Sequence, residues 1–228
     1  MQEGVQGSSA QGSTVPTESM PPRNPGALPV VEAFHSLQGE GLHTGQSAFF
    51  IRLAGCRVGC SWCDTKHSWP MAGHAEWSLS GLADAALAAR QAGAGFVVIT
   101  GGEPLHHDLT ALCALLRSHG LRLHLETSGV EPLRGQVDWI VLSPKRHQPP
   151  RDDLIRLCNE LKVVVHSHDD LDFALAMARQ ANASGNHPAL LLQPGWESTE
   201  GQRLALDFVR SHADWRLSLQ SHKWLAIR

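Results

Sequence analysis

The sequence predicts an α/β protein built from parallel βαβ units. Three observations carry this reading. Short apolar runs of strand length alternate with longer amphipathic stretches, the alternation holds from Pro29 onward, and the polar and glycine-rich motifs fall where the apolar runs end. Motifs gathered at strand ends are placed like the loops on the functional face of a (βα) barrel. No repeat of fixed period is present.

The elements follow in order. Residues 48–53 read as a buried strand that delivers the chain to Cys56. Residues 79–91 are Ala/Leu-rich and predict a helix, with Ser78 or Ser80 available as its cap. Residues 96–100 form a β-branched run ending in Gly101-Gly102, hence a strand and a turn. A helix over 109–119 stops at Gly120, and strands are expected at 121–126 and 139–142, the latter halted by Ser143-Pro144. Then come a strand at 161–166, a helix at 171–183, a strand at 189–193, a helix at 202–212 and a last strand at 215–219. Residues 1–28 are rich in Gly, Ser, Gln and Pro and hold almost no large apolar side chains, so they predict a disordered tail; 29–228 form the core domain. Met20 offers an alternative start.

Composition narrows the function. A chain of 228 residues has room for one sizeable core. A net charge of -3 gives no basic footprint for nucleic acid. No apolar stretch of about 18 residues predicts a membrane span, and the N-terminus does not read as a secretory signal. Of five cysteines three are clustered, which argues against a disulfide framework and for a reducing, cytoplasmic setting.

The clustered cysteines are Cys56, Cys60 and Cys63, spaced C-x3-C-x2-C in GCRVGCSWCDT. Three thiolates hold three corners of a 4Fe–4S cluster and leave the fourth iron open to a small chelating molecule. The rival is a closed zinc site with His67 as fourth ligand. Against it, all four candidates fall within one short segment rather than two separated pairs, and a well-filled α/β chain needs no metal staple. Gly101-Gly102-Glu103-Pro104 follows the next strand; its glycines allow close backbone approach, and its carboxylate is suited to an ammonium group. Leu37-Gln38-Gly39-Glu40-Gly41 is a glycine-flexed polar turn. Arg52, on the strand leading to the cysteines, needs an anionic partner, either a structural one or a substrate carboxylate. Glu126-Thr127-Ser128-Gly129 closes another strand, and Gln220-Ser221-His222-Lys223-Trp224 stands near the C-terminus.

The cysteine spacing, with Trp62 before the last cysteine, and the Gly-Gly-Glu-Pro turn resemble the radical S-adenosylmethionine (SAM) superfamily. That resemblance implies a partial (βα)6 barrel with a cluster-binding loop after its first strand, and SAM chelating the open iron. The segments LQGEG, FIRLAGC, VGCSWCDTKHSW, VVITGGEPL, LETSG, LSPK, LQP and LSLQSHKWL, running from residue 37 to 225, further resemble the 7-carboxy-7-deazaguanine synthase family. The family's reaction begins with reductive cleavage of SAM to a 5′-deoxyadenosyl radical. The radical takes hydrogen from carbon 6 of 6-carboxy-5,6,7,8-tetrahydropterin, the ring contracts with loss of ammonia, and SAM is regenerated. The product, 7-carboxy-7-deazaguanine, is a precursor of queuosine.

By the same resemblance Cys56, Cys60 and Cys63 hold the cluster. Trp62, Cys63, Asp64, Gly102, Ser143, Pro144, Lys145, Gln193, Pro194, Gly195 and Trp196 line the SAM site. Leu37, Gln38, Gly39, Glu40, Arg52, Thr100, Glu126 and His222 line the pterin site, and Thr65 contacts Mg2+, with Asp64 a rival ligand. No catalytic residue is implied beyond the cluster and SAM. A flavodoxin or ferredoxin supplies the electron, and the enzyme is a homodimer that binds neither nucleic acid nor membrane. The alternatives are a radical SAM activase that places a glycyl radical on a partner protein, and a non-catalytic zinc-binding module. Ser221 and Trp224 stand where related proteins often carry Thr and Tyr, and residues 146–150 form a variable segment. The fourteen histidines lack partners at ligand spacing and are expected to be exposed or capping. Cys113 and Cys158 fall in apolar-periodic stretches and are expected to pack as small hydrophobes.

Overall fold

The computed structural model describes residues 26–228. The tail expected over residues 1–28 therefore lies outside it up to residue 25, and Ala27 and Leu28, assigned to that tail by composition, instead open the first strand. The strands are β1 (Ala27–Leu37), β2 (Ser47–Leu53), β3 (Ala75–Ser78), β4 (Phe96–Gly101), β5 (Leu123–Thr127), β6 (Trp139–Leu142), β7 (Glu160–Val165), β8 (Ala189–Pro194) and β9 (Trp215–Leu217). The helices are α1 (Leu79–Gln91), α2 (Thr110–Ser118), α3 (Asp152–Leu157), α4 (His168–Ala183), α5 (Thr199–Ser211) and α6 (Ser221–Trp224).

All nine strands form one sheet in the order β3-β1-β2-β4-β5-β6-β7-β8-β9. From β2 to β9 every neighbouring pair is parallel. β1 runs antiparallel to both β2 and β3. β3 and β9 are the two edges, so the barrel is partial. The cysteine loop follows β2, the first of the parallel strands though the second in the chain. One crossover departs from the six-fold βα pattern: the connection from β5 to β6 contains no helix.

Helix boundaries follow their caps. α1 spans the expected residues, and the Ser78 hydroxyl accepts from Gly81 N at 3.0 Å. α4 starts earlier than its apolar periodicity because the Asp170 carboxylate accepts from His166 N and Ser167 N, both at 2.9 Å. α5 likewise starts at Thr199, where the Ser198 hydroxyl accepts from Gly201 N at 3.1 Å. β1, β3, α3 and α6 were not foreseen. β1 carries Glu32, His35 and Ser36 among its apolar residues, and the others are too short for periodicity to register.

Period-two alternation sorts each strand into two faces. One face packs under the helices: Phe49, Ile51 and Leu53 of β2, Val97 and Ile99 of β4, and Leu123 and Leu125 of β5 join the main core. The expectation for the two remaining cysteines holds there, since Cys113 and Cys158 are buried in that core. The other face turns into the barrel. Ala48, Phe50, Phe96 and Val98 form an inner cluster with Phe34 against them. Registry then carries this face upward, with Arg52 opposite Thr100.

The amino ends of the parallel strands are closed by a floor. Phe96 and His124 stack at 4.1 Å between ring centroids, and His43 lies 4.6 Å from His124 and edge-on to Trp139 at 4.9 Å. Glu160 joins them, accepting from Trp139 Nε1 at 2.7 Å and from Leu42 N at 3.1 Å. The turn Gly41–His43 is thereby pinned into the barrel. His124 and His107 are thus buried, not exposed or capping as expected. The His107 ring donates to the Ala54 carbonyl at 2.8 Å. Burial, then the neighbouring His43 and Arg122, push His124 down to about 3.

Candidate active site

A cavity of about 310 Å³ opens at the carboxyl ends of the parallel strands. That is the scale of a small-molecule pocket. Cys56, Cys60 and Cys63 all line it. Their loop is held in place from both sides: Gly55 N donates to Ser68 O at 2.8 Å, Cys56 N to Trp69 O at 3.0 Å, and Glu103 N to Gly55 O at 3.0 Å. Gly102 sits so close beneath the loop that a Cβ would meet Gly55 O at 2.5 Å and the Cys56 Cβ at 2.8 Å. The Gly-Gly turn is therefore required by space.

The donor set fits a cluster. Among the described residues no three His, Cys, Asp or Glu side chains converge on one ion. A 4Fe–4S group carries each thiolate on a different iron, so it asks the cysteines to line one bay instead. His67 does not line that bay, which leaves the closed zinc set without its fourth ligand. Burial pushes the Cys56 and Cys60 thiols up from their ordinary value, so metal binding there releases protons. Trp69, unassigned from sequence, donates from Nε1 to Cys63 Sγ at 3.4 Å. Hydrogen bonds to cluster sulfurs are one lever on reduction potential.

One wall carries the residues expected around SAM. Lys145 Nζ lies 5.1 Å from the Trp62 ring centroid and donates to the Ser143 hydroxyl at 2.8 Å. Burial lowers the Lys145 pKa, partly countered by Cys60. Trp62 packs against His166 at 5.0 Å, and a Cβ on Gly195 would meet His166 Nε2 at 2.1 Å. Gln193 is buried and accepts from the Ser218 hydroxyl at 2.9 Å. Pro194 and Trp196 line the bay beside it, whereas Pro144 is buried and not part of the lining. Glu103 lines the same cavity and already has partners of its own. Its buried carboxylate accepts from Leu105 N at 3.0 Å, Ser128 N at 2.8 Å and the hydroxyls of Thr127 and Ser128. An incoming ammonium group would compete with these four donors.

The opposite wall holds the expected pterin residues. Leu37, Gln38, Gly39, Glu40, Arg52, Thr100, Glu126 and His222 all line the same cavity. Gln38 Nε2 donates to Glu126 at 2.9 Å. A Cβ on Gly39 would meet the His222 ring at 2.2 Å. Arg52 has a structural partner, since Nε donates to Glu32 on β1 at 2.9 Å, and its side chain also borders the bay.

Glu40 is held by two side chains from distant parts of the chain. It forms an ion pair with Lys162 of β7, and Gln220 Nε2 donates to it at 2.9 Å. Burial alone would raise the Glu40 carboxyl; Lys162 and Gln220 outweigh burial and hold it well below the usual range. Lys162 is raised despite its own burial, because Glu40, Glu126 and Glu160 face it. Sequence reading missed Lys162, yet a lysine alternating with the outward-facing Leu161 and Val163 was the available signal. Asp64 and Thr65 border the bay too. Asp64 takes the ammonium of Lys223 and, at 3.2 Å, the amide of Gln220. The Thr65 hydroxyl stands 3.5 Å from Cys63 Sγ.

Comparison with known proteins agrees with this geometry. The radical SAM superfamily model matches residues 50–173. The chain is 53% identical over 220 residues to the 7-carboxy-7-deazaguanine synthase of Prochlorococcus marinus, covering 88% of this chain and 98% of the relative. It is 35% identical over 221 residues to the synthase of Escherichia coli K12, covering 87% and 98%. The crystal structure of QueE from Escherichia coli superposes with a TM-score of 0.73 at 33% identity, covering 86% of this chain and 95% of that one.

Proposed function

This chain belongs to the 7-carboxy-7-deazaguanine synthase family of the radical SAM superfamily, and on that premise we propose that its bay converts 6-carboxy-5,6,7,8-tetrahydropterin to 7-carboxy-7-deazaguanine. One observation carries the reading. The three cysteines and the Glu40–Lys162 pair line a single cavity, so a cluster-bound cofactor and a polar substrate meet without either leaving its wall.

When bound, the cluster and SAM supply a carbon-centred radical able to take hydrogen from the pterin. The chain's residues orient the reactants. Trp62 and Lys145 provide an aromatic face and a cation for SAM, and Gly102 and Gly195 let the cysteine loop and His166 pack closely at that wall. Glu40, held ionised, is an acceptor for the N–H edge of the pterin. Glu126 offers a second carboxylate, already steered by Gln38. Arg52 has donors beyond the one used by Glu32 and faces the substrate carboxylate.

Mg2+ sits beside Thr65 in this reading, where it would neutralise the substrate carboxylate. Asp64 is the weaker candidate because Lys223 and Gln220 already engage it. One hydroxyl, a substrate oxygen and waters suit magnesium, which dehydrates reluctantly. A low-potential flavodoxin or ferredoxin reduces the cluster; exposed Arg57, Gly59 and Ser61 put the loop within reach of such a donor. No helix among the described residues is long and apolar enough to cross a membrane.

The test is an anaerobic incubation of reconstituted, reduced protein with SAM and the carboxytetrahydropterin. Chromatography with mass detection should show the deazaguanine. Its absence beside an active control enzyme would discard the proposal.

A further inference from the structure

The cofactor wall and the substrate wall come from separate pieces of chain, and the C-terminal segment joins them. Gln220 Nε2 donates to Glu40 Oε1 at 2.9 Å and to Asp64 Oδ2 at 3.2 Å. Asp64 follows the last cluster cysteine, and Glu40 belongs to the turn before β2. Lys223 completes the junction. Its ammonium pairs with Asp64, donates to Gln220 Oε1 at 3.2 Å and lies 4.6 Å from the Trp196 ring centroid. The segment is also anchored by its backbone, since Ser221 N and its hydroxyl both donate to Gly39 O, at 2.9 and 3.0 Å.

We propose that Gln220 and Lys223 are positioning residues that fix the cluster loop and the Glu40 turn at one relative setting. An amide is suited to this task. Gln220 gives its two N–H donors to two carboxylates that would otherwise repel, and its oxygen receives Lys223. Lys223 completes the junction with its own contact to Asp64 and to the Gln220 oxygen. The consequence for the reaction rests on the pterin reading above: loosening the junction separates radical formation from substrate placement. SAM is then consumed without being regenerated.

The experiment uses the full chain and two readouts. Hydrogen exchange on the protein without cofactors measures the loops themselves. In Gln220→Ala and Lys223→Met, peptides covering residues 37–46 and 56–66 should both exchange on the order of tenfold faster, as expected for losing hydrogen bonds to charged groups. β4 and β8 should keep their protection, and Lys223→Arg should stay near the unmodified protein. In reconstituted enzyme, 5′-deoxyadenosine released per deazaguanine formed should rise by a similar factor. Unchanged loop exchange overturns the proposal. So does loss of protection across β4 and β8 in both variants, which would mark a general support of the fold. A chain whose loops respond but which makes no deazaguanine would sink the pterin reading and leave the junction standing.

Discussion

The two ends of the barrel interior are built from the same inward-facing positions and solve burial in different ways. At the carboxyl ends, charged and polar groups are buried together and satisfied by one another: Glu40 by Lys162 and Gln220, Glu103 by Thr127 and Ser128. At the amino ends, rings fill the space, and Glu160 bonded to Trp139 and Leu42 is the main polar link. His43 and His124 each leave Nε2 without a hydrogen-bond partner there. The contrast teaches how this sheet handles buried charge. It tolerates it where strand ends and loops supply partners from several directions.

Substitutions at the two ends should therefore fail differently. Cys60→Ala should have the largest effect: iron and sulfide content collapse and turnover is lost, while circular dichroism stays native because the loop lies at the open end. Global unfolding would contradict the separation of bay from scaffold. Lys162→Met should come next. Breaking a buried pair by removing one partner costs on the order of 3 kcal/mol, read by chemical denaturation. Left to burial alone, Glu40 should titrate at higher pH, so the acid limb of kcat/KM should move upward; a limb that stays in place would reduce Lys162 to packing. In the unmodified protein the sign is fixed by both partners. The lowered Glu40 contributes stability above its ordinary value of 4.5 that is lost as pH falls toward its folded value. The raised Lys162 contributes below 10.5 and loses its effect as pH rises past its folded value.

Arg52→Ala should weaken turnover of the carboxylated pterin about tenfold, in line with one charge-assisted contact, and leave SAM binding nearly unchanged. Equal loss of both would make Arg52 a partner of Glu32 and no more. The floor is read in stability, not in turnover. His124 is neutral when folded down to about 3 and charged when unfolded below 6.5. Stability should thus fall as pH drops between those values, by about 1 kcal/mol per pH unit. His124→Phe should flatten that slope in thermal melts between pH 6 and 4 without touching SAM affinity.

Much of the upper end was legible in the sequence because its chemistry is local. Cys56, Cys60 and Cys63 come from one loop, Gly101 and Gly102 from one turn, and each follows a strand that a short apolar run exposes. Arg52 was legible only as a question, since its partner Glu32 lies on an antiparallel strand whose mixed composition hid it. Lys162, Gln220 and Lys223 escaped because their meaning depends on Glu40 and Asp64, more than a hundred residues away in the chain. The floor escaped for a related reason. His43, His124 and Trp139 lie on three elements, and none of them alone signals that the three rings meet.

The turn that plugs the floor begins at the residue after Glu40. Gly41 N donates to the Ser218 hydroxyl at 3.0 Å, and Leu42 N to Glu160. Foundation and substrate contact are thus consecutive links of one strand of chain, too short to act as a hinge. An engineer who repacks the aromatic base for heat resistance will therefore be retuning substrate affinity, and should assay for that before measuring a melting curve.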